Sequence, residues 1–109
     1  METLNEKIAK WLGWRDIQLH PHSGLWGRPR DSGDAEPVPD YEHDLQLAVE
    51  AWDEIVKRTF AVSGPFKTDG VGPWYQAATI DGDEIVSHGP TRARAVCELI
   101  VKIKNEESK

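Results

Sequence analysis

The stretch that most constrains this chain runs from Pro39 to Arg58, because it has the pattern of one long amphipathic helix. Apolar residues recur there at steps of three and four, the period of a helical face, and charged residues fill the opposite side. Asp40 is the expected N-cap, since an aspartate oxygen accepts hydrogen bonds from the free N–H groups of a first turn. Trp52, near the middle, is expected to be buried. The rest of the chain must therefore supply surfaces that cover this helix.

Three segments after this helix have the pattern of β-strands. They are Thr59–Lys67, Trp74–Ile80 and Glu84–His88. Gly64-Pro65 predicts a bulge or an edge position within the first of them. Asp81-Gly82 is typical of a tight hairpin turn between the other two. We therefore expect a three-stranded antiparallel meander.

Two further helices are predicted at the ends of the chain. Thr3 can cap a first helix, and Gly13 can end it. Thr91 can cap a last helix after the meander. Between the first helix and the central one, Gln18–Glu36 is expected to be an irregular, mobile segment, because its part Arg28–Glu36 is polar and rich in Gly and Pro. Within and beside that segment, only short extended pieces are expected, around Ile17–Leu19 and Leu25–Gly27.

The predicted fold class is therefore α+β, in the order α-(irregular)-α-β-β-β-α. At 109 residues the chain is expected to form one domain, residues 1–109. The second and third helices flank the meander in sequence and are the expected cover of one of its faces. Trp74 and Tyr75 point to opposite faces, so the first helix is expected to cover the other face. This arrangement is an α/β/α sandwich.

Composition narrows the classes of function. The formal net charge is -6, which argues against general affinity for the nucleic acid backbone. Cys97 is the single cysteine, so no internal disulfide can form, and a reducing compartment is expected. No apolar run approaches the roughly 20 residues needed to span a bilayer, and the start of the chain lacks a signal-peptide pattern. We expect a cytoplasmic protein that does not interact with membranes.

No catalytic or metal-binding motif is evident. His20 and His22 flank Pro21, and His43, Asp40, Asp44 and Cys97 could add ligands, but no recognised metal-ligand spacing connects them. Cys97 lies among apolar residues, which favours a buried thiol over a nucleophile. Gly70 and Gly72 lack the lysine and helix start of a phosphate loop. We therefore predict no metal, no cofactor and no enzymatic activity.

One group of charged residues is a candidate contact surface. We call it the acidic band, and it consists of Asp31, Asp34, Glu36, Asp40, Glu42 and Asp44. Such a surface can complement a basic groove on a partner protein, although solvated acidic residues are common without one. Trp26 lies in the same polar segment, where an exposed aromatic side chain can act as a binding anchor. The alternative is that the Trp26 side chain folds back onto the core.

The order of these motifs resembles the phage ABA sandwich domain, a family of small phage and prophage proteins. The resemblance rests on three groups of residues spread over most of the chain. They are Trp11-Leu12-Gly13-Trp14; Pro39, Tyr41, Asp44, Leu45 and Ala51-Trp52; and Thr91 with Ala95-Val96-Cys97. The resemblance implies an α-β-α sandwich of phage origin, and it implies no reaction. The segment Asp40–Lys104 is also similar in order to a double-stranded RNA-binding domain, in which Arg92 and Arg94 would meet phosphates.

Three hypotheses of function follow. The first is a non-enzymatic phage accessory protein that binds another protein through its acidic surface. Inhibition of a host defence system, as anti-CRISPR proteins do, is one version of it. The second is a small-molecule or nucleotide-binding module, with Trp14, Trp26 or Trp74 as a stacking surface in a cleft between the irregular segment and the sheet. The third is RNA binding through Arg92 and Arg94.

Overall fold

Three helices and two antiparallel sheets make up the fold in the computed structural model, which describes residues 3–31, 33–80, 82 and 84–107. The helices are α1 (Leu4–Trp11), α2 (Leu45–Ile55) and α3 (Arg92–Glu107). The strands are β1 (Arg15–His20), β2 (Gly24–Arg28), β3 (Glu36–Pro37), β4 (Phe60–Thr68), β5 (Val71–Thr79) and β6 (Val86–Gly89). The α+β class, and the order of helices around a three-stranded meander, are confirmed.

The first helix begins and ends where its sequence predicts. The Thr3 side chain accepts a hydrogen bond from the backbone N–H of Glu6 at 3.2 Å, as expected of an N-cap. Gly13 follows the helix with φ of 97°, a backbone conformation that glycine tolerates best. At the other end of the chain, Thr91 Oγ1 accepts from Arg94 N at 3.1 Å and caps α3.

The segment between α1 and α2 is more regular than expected. β1 pairs with β2 in an antiparallel hairpin, with Leu19 opposite Leu25, and β2 pairs with the short β3. The extended pieces predicted around Ile17–Leu19 and Leu25–Gly27 are confirmed. Most of the hairpin is exposed, because a three-stranded sheet with few large apolar residues has little to bury. Trp26 lies in β2, within the extended piece predicted around Leu25–Gly27, and its side chain is half-buried.

The start of α2 also differs from the prediction, which placed the N-cap at Asp40. The observed N-cap is Asp44, whose backbone is extended and whose Oδ1 accepts from Leu47 N at 3.2 Å. Asp40 instead lies in a turn, where its carboxylate accepts from the Asn5 side chain at 3.0 Å. Both aspartates suit an N-cap, and the contact with α1 decides between them.

The meander follows the predicted pairing. β4 pairs with β5, and β5 pairs with β6, all antiparallel. The register shifts between Ser63 and Phe66, which confirms the bulge predicted at Gly64-Pro65. The predicted Asp81-Gly82 turn lies partly outside the described residues, since Asp81 is not among them; Gly82 has φ of 72°.

The core lies on one face of this sheet. α3 crosses that face, α2 lies against α3, and Trp52 of α2 is fully buried with its ring 4.7 Å from that of Phe60 in β4. The predicted burial of Trp52 and the cover by α3 are confirmed, whereas α2 lies mainly on α3 and reaches the sheet through the contact of Trp52 with Phe60. α1 also packs on α3, whereas the sequence placed it over the second face of the sheet. That outer face is open to solvent, with Ile80 63% exposed.

Candidate functional site

A groove with a volume of about 390 Å³ lies between α2 and the residues that follow β2. Its lining comes from the end of α1, the segment after β2, the turn before α2 and one stripe of α2. The lining residues are Leu12, Trp14, Pro29, Arg30, Asp31, Tyr41, Leu47, Glu50, Ala51 and Glu54. We call this feature the α2 groove.

The α2 groove has an apolar floor and an acidic rim. Tyr41 and Ala51 are buried at its base, and Trp14 is half-buried beside them. The charged groups in the lining are three exposed carboxylates and one guanidinium. The carboxylates are those of Asp31, Glu50 and Glu54, and the guanidinium is that of Arg30. An apolar surface bounded mainly by negative charge is complementary to an apolar segment that carries positive charge.

The two ionisable groups beneath the groove are held in their neutral forms. Burial, with Cys97 and Glu50 nearby, raises the pKa of Tyr41 to about 12. Burial, and to a smaller extent the negative charge of Glu42, raises the pKa of the Cys97 thiol to about 12. The Cys97 Sγ donates to the backbone carbonyl of Tyr41 at 3.2 Å. A thiol that stays protonated at neutral pH is a poor nucleophile, and Cys97 is fully buried in the core.

Three members of the acidic band hold the fold together. Asp44 caps α2, as described above. Glu42 is 18% exposed and pairs with Arg94 at 3.3 Å, and Arg94 also pairs with Glu98 at 3.3 Å. Asp40 accepts from Asn5 and lies 3.0 Å from the His43 ring nitrogen.

The pKa values of Asp40 and His43 shift in the directions expected of a hydrogen-bonded pair. Burial alone would raise the pKa of Asp40, but hydrogen bonds from Asn5 and His43 outweigh it and lower that pKa. The hydrogen bond to Asp40 and its negative charge raise the pKa of His43. The pair therefore favours a carboxylate beside an imidazolium.

The other three members of the acidic band are exposed. Asp31 lies on the rim of the α2 groove, with its side chain 92% exposed and 4.0 Å from the Arg30 guanidinium. Glu36 is in β3, opposite Gly27 of β2, and Asp34 lies just before it. Among the six carboxylates of the band, only that of Glu42 belongs to a half-buried residue; the other five residues are exposed.

Asp40, Glu42 and His43 can each offer a metal ligand atom, and these atoms lie within 4.8 Å of one another. Two of these groups already have partners within the protein, because Arg94 pairs with Glu42 and Asn5 donates a hydrogen bond to Asp40. A divalent cation would have to displace that guanidinium. His20 and His22 lie apart from this group, at the exposed turn between β1 and β2.

An aromatic cluster lies on the outer face of the meander, and the sequence did not reveal it. Trp74 has its ring centroid 4.7 Å from that of Phe66 and 5.1 Å from that of His88. Its indole N–H donates to Thr68 Oγ1 at 3.2 Å, and His88 Nε2 lies 3.3 Å from Gln76 Oε1. The alternation of β5 was the available signal, since it places Trp74 and Gln76 on the face opposite the core.

The three tryptophans proposed as stacking surfaces lie in different surroundings. Trp14 lines the α2 groove, Trp74 lies on the outer face of the meander, and Trp26 is half-buried in β2. The Trp26 ring is edge-on to His20, 6.1 Å between centroids, and its indole N–H is buried with no acceptor among the described residues. The groove lies beside α2, not between the irregular segment and the meander as expected.

The two arginines of the RNA-binding hypothesis are engaged within the fold. The Arg92 guanidinium lies over the Tyr75 ring, 5.0 Å from its centroid, and Arg94 pairs with Glu42 and Glu98. In the part of the chain that the structure describes, no helix combines the length and apolarity needed to cross a membrane.

Comparisons of the chain with protein-family models, curated proteins and solved structures found no match. Function is therefore inferred from the residues of the chain itself.

Proposed function

We propose that this chain is a non-enzymatic binding protein that acts by docking its acidic side onto a basic surface of a partner protein. The observation that carries the proposal is the α2 groove, where an apolar floor is bordered by Asp31, Glu50 and Glu54. Interfaces combine a desolvated apolar centre with a polar rim, and this groove has both parts. The net charge of -6 adds a long-range attraction toward a basic partner.

The nature of the partner is proposed from the family resemblance and from charge. The resemblance to the phage ABA sandwich domain supports a partner in a bacterial host cell. A defence nuclease that binds nucleic acid has a basic groove, and an acidic protein can occupy such a groove in place of the nucleic acid. Inhibition of a host defence system is therefore the version of the proposal that we favour.

The experiment is affinity capture from a bacterial lysate followed by mass spectrometry, with three forms of the protein. One is the unchanged chain, and one carries Asp31→Lys with Glu36→Lys, both in exposed members of the acidic band. The third carries Asp53→Lys with Glu84→Lys, which changes the net charge equally at exposed positions outside that band.

We expect a protein that is captured by the unchanged chain and by the Asp53/Glu84 variant but is lost with the Asp31/Glu36 variant. Rim charges act mainly on the association rate, so the loss should be stronger at low salt than at high salt. Identical captures from all three forms would show that the acidic side does not select the partner.

A second candidate function is supported by the aromatic cluster of Phe66, Trp74 and His88. Aromatic rings on an open sheet face can stack on the base of a nucleotide or on another flat ligand. Titration of adenosine, guanosine, cytidine and uridine monophosphates with tryptophan fluorescence tests this candidate. Quenching that disappears in Trp74→Leu but persists in Trp14→Leu would support it; no quenching at millimolar nucleotide would dismiss it.

A further inference from the structure

We propose that the α2 groove recognises a partner segment in which an apolar side chain stands next to an arginine. The inference rests on the proposed function and names the chemistry of the partner at that site. The apolar side chain lies over Trp14 and Leu47, and the arginine bridges Glu50 and Glu54. The occupant is a peptide segment of another protein.

The α2 wall of the groove provides the first argument. Leu47, Glu50, Ala51 and Glu54 follow one another at steps of three, one and three residues, so they form a single stripe along two helical turns. Glu50 and Glu54 are one turn apart, with Cβ atoms at a typical separation of about 5–6 Å. A planar guanidinium can donate to two carboxylates at that separation, which the compact ammonium of lysine does less well.

The contacts that these carboxylates already make provide the second argument. Glu50 takes one long hydrogen bond, 3.4 Å from Gln46 Nε2. Both glutamates are exposed, and both face the groove. This separates them from Glu42 and Asp44, whose carboxylates are used in an ion pair and a helix cap. Glu50 and Glu54 can therefore bind a new cation without a loss of stability elsewhere.

The opposite wall explains why the ligand is apolar as well as basic. It presents Leu12, the Trp14 ring and Pro29. The volume of about 390 Å³ is near the lower end of the roughly 300–1,000 Å³ typical of binding clefts, so it takes a few side chains and not a whole domain. Burial of an aliphatic side chain against Trp14 supplies the non-polar part of the binding energy.

Arg30 makes the inference more specific, because it is the chain's own cation at this groove. Its stem packs on Gly13, where an added Cβ would lie 2.9 Å from Arg30 Cδ, so the side chain is held on the α1 side. Its guanidinium lies 4.0 Å from Asp31. Arg30 therefore repels an incoming arginine, and its neutralisation should strengthen the binding of a cationic peptide.

The probe is the peptide Ac-Arg-Leu-Leu-Arg-NH2, compared with two analogues. In one, citrulline replaces both arginines and removes the charge at almost constant shape. In the other, serine replaces both leucines. Binding is measured from NMR shifts of backbone amides and of the five tryptophan indole N–H groups, of which Trp14 is the reporter. We expect shifts at Trp14 and along 47–54 with the first peptide, and binding at least tenfold weaker with each analogue.

The protein variants test the same contacts from the other side. Glu50→Gln with Glu54→Gln should weaken the peptide about tenfold or more, and Asp53→Asn, on the same helix but outside the groove, should leave it unchanged. Arg30→Gln should strengthen binding severalfold. Any of three results would overturn the inference: equal binding of the citrulline peptide, shifts spread over the acidic surface, or no shifts at about 10 mM peptide, a concentration that corresponds to a binding free energy of only about -3 kcal/mol.

The two proposals can fail separately. If the peptide does not bind but the Asp31/Glu36 variant still loses its captured partner, the partner docks on the acidic side without an arginine bridging Glu50 and Glu54. In that case the inference is wrong and the proposed function stands. If the peptide does not bind and the capture is the same for all forms, both are wrong.

Discussion

Replacement of Trp52 by phenylalanine should destabilise the protein by about 2–3 kcal/mol. Trp52 is fully buried, packs against Phe60 with 4.7 Å between ring centroids, and donates its indole N–H to the Arg58 carbonyl. Loss of that donor removes a partly buried hydrogen bond, at a cost of about 1–2 kcal/mol. The smaller phenyl ring leaves a cavity that adds about 1 kcal/mol. For a domain of this size the melting temperature should fall by roughly 10 °C.

Trp74→Phe is the matched control, because Trp74 makes the same kinds of contact in a different environment. Its ring is also 4.7 Å from a phenylalanine ring, and its indole also donates one hydrogen bond, to Thr68. The outer face of the meander is open, so water can replace that bond, and we expect a cost below about 1 kcal/mol.

Urea unfolding followed by far-UV circular dichroism measures both costs without dependence on tryptophan fluorescence. If the two substitutions lower the free energy of unfolding by the same amount within about 0.5 kcal/mol, the core does not lie on the face of the meander that α3 covers. A cost below about 1 kcal/mol for Trp52→Phe would likewise contradict the assigned hydrogen bond and packing.

Three further predictions concern the start of α2 and its neighbours. Asp44→Ala should abolish the hydrogen-exchange protection of the Leu47 amide and lower the free energy of unfolding by about 1 kcal/mol. Asp40→Ala should leave that amide protected. Loss of protection in Asp40→Ala and not in Asp44→Ala would show that Asp40 is the N-cap. The Cys97 thiol is buried and its pKa is raised to about 12. An aromatic disulfide reagent at pH 8, about half a unit below the ordinary thiol pKa, should therefore label Cys97 only as fast as the protein unfolds. Rapid labelling would contradict the burial of Cys97. The stabilisation that His43 gains from Asp40 should be complete below its ordinary pKa of 6.5 and disappear as pH rises through its raised pKa. The stabilisation that Asp40 gains from its hydrogen bonds should be complete above pH 3.8, the ordinary pKa of its carboxyl, and should disappear as pH falls through the lowered pKa. His43→Gln should therefore flatten the dependence of melting temperature on pH near neutrality, and an unchanged slope would contradict the pairing.

Local signals predicted the helices and the meander well. Thr3, Gly13 and Thr91 act within one turn of their own position, so their roles depend little on the rest of the chain. The alternation around Trp74 and Tyr75 likewise fixed the two faces of β5, because it follows from strand geometry alone. These elements could be placed from sequence for that reason.

Features that depend on distant contacts could not be placed in this way. Asp40 and Asp44 are equally suitable caps, and the contact of Asp40 with Asn5, which lies 35 residues earlier, decides between them. The position of α1 on α3 was equally hidden, since an amphipathic helix does not specify which apolar surface it meets.

The candidate site was found only in part. The acidic band was defined as a run along the sequence, and of its members only Asp31 lines the α2 groove. Glu50 and Glu54 were missed because they belong to a helical face and not to that run. Their spacing of four residues, next to Leu47 and Ala51, was the signal that could have revealed them.

The turn before α2 has a consequence for the order in which the molecule folds. Asn5 bonds the Asp40 side chain and the Glu42 backbone, across 35 and 37 residues, and Cys97 bonds the Tyr41 carbonyl across 56. Each of these bonds can form only after the turn has met a segment distant in sequence, either α1 or α3, and closing such long loops is entropically unfavourable. We expect this turn to be unstructured in the folding transition state. Asn5→Ala should therefore accelerate unfolding and leave the folding rate almost unchanged.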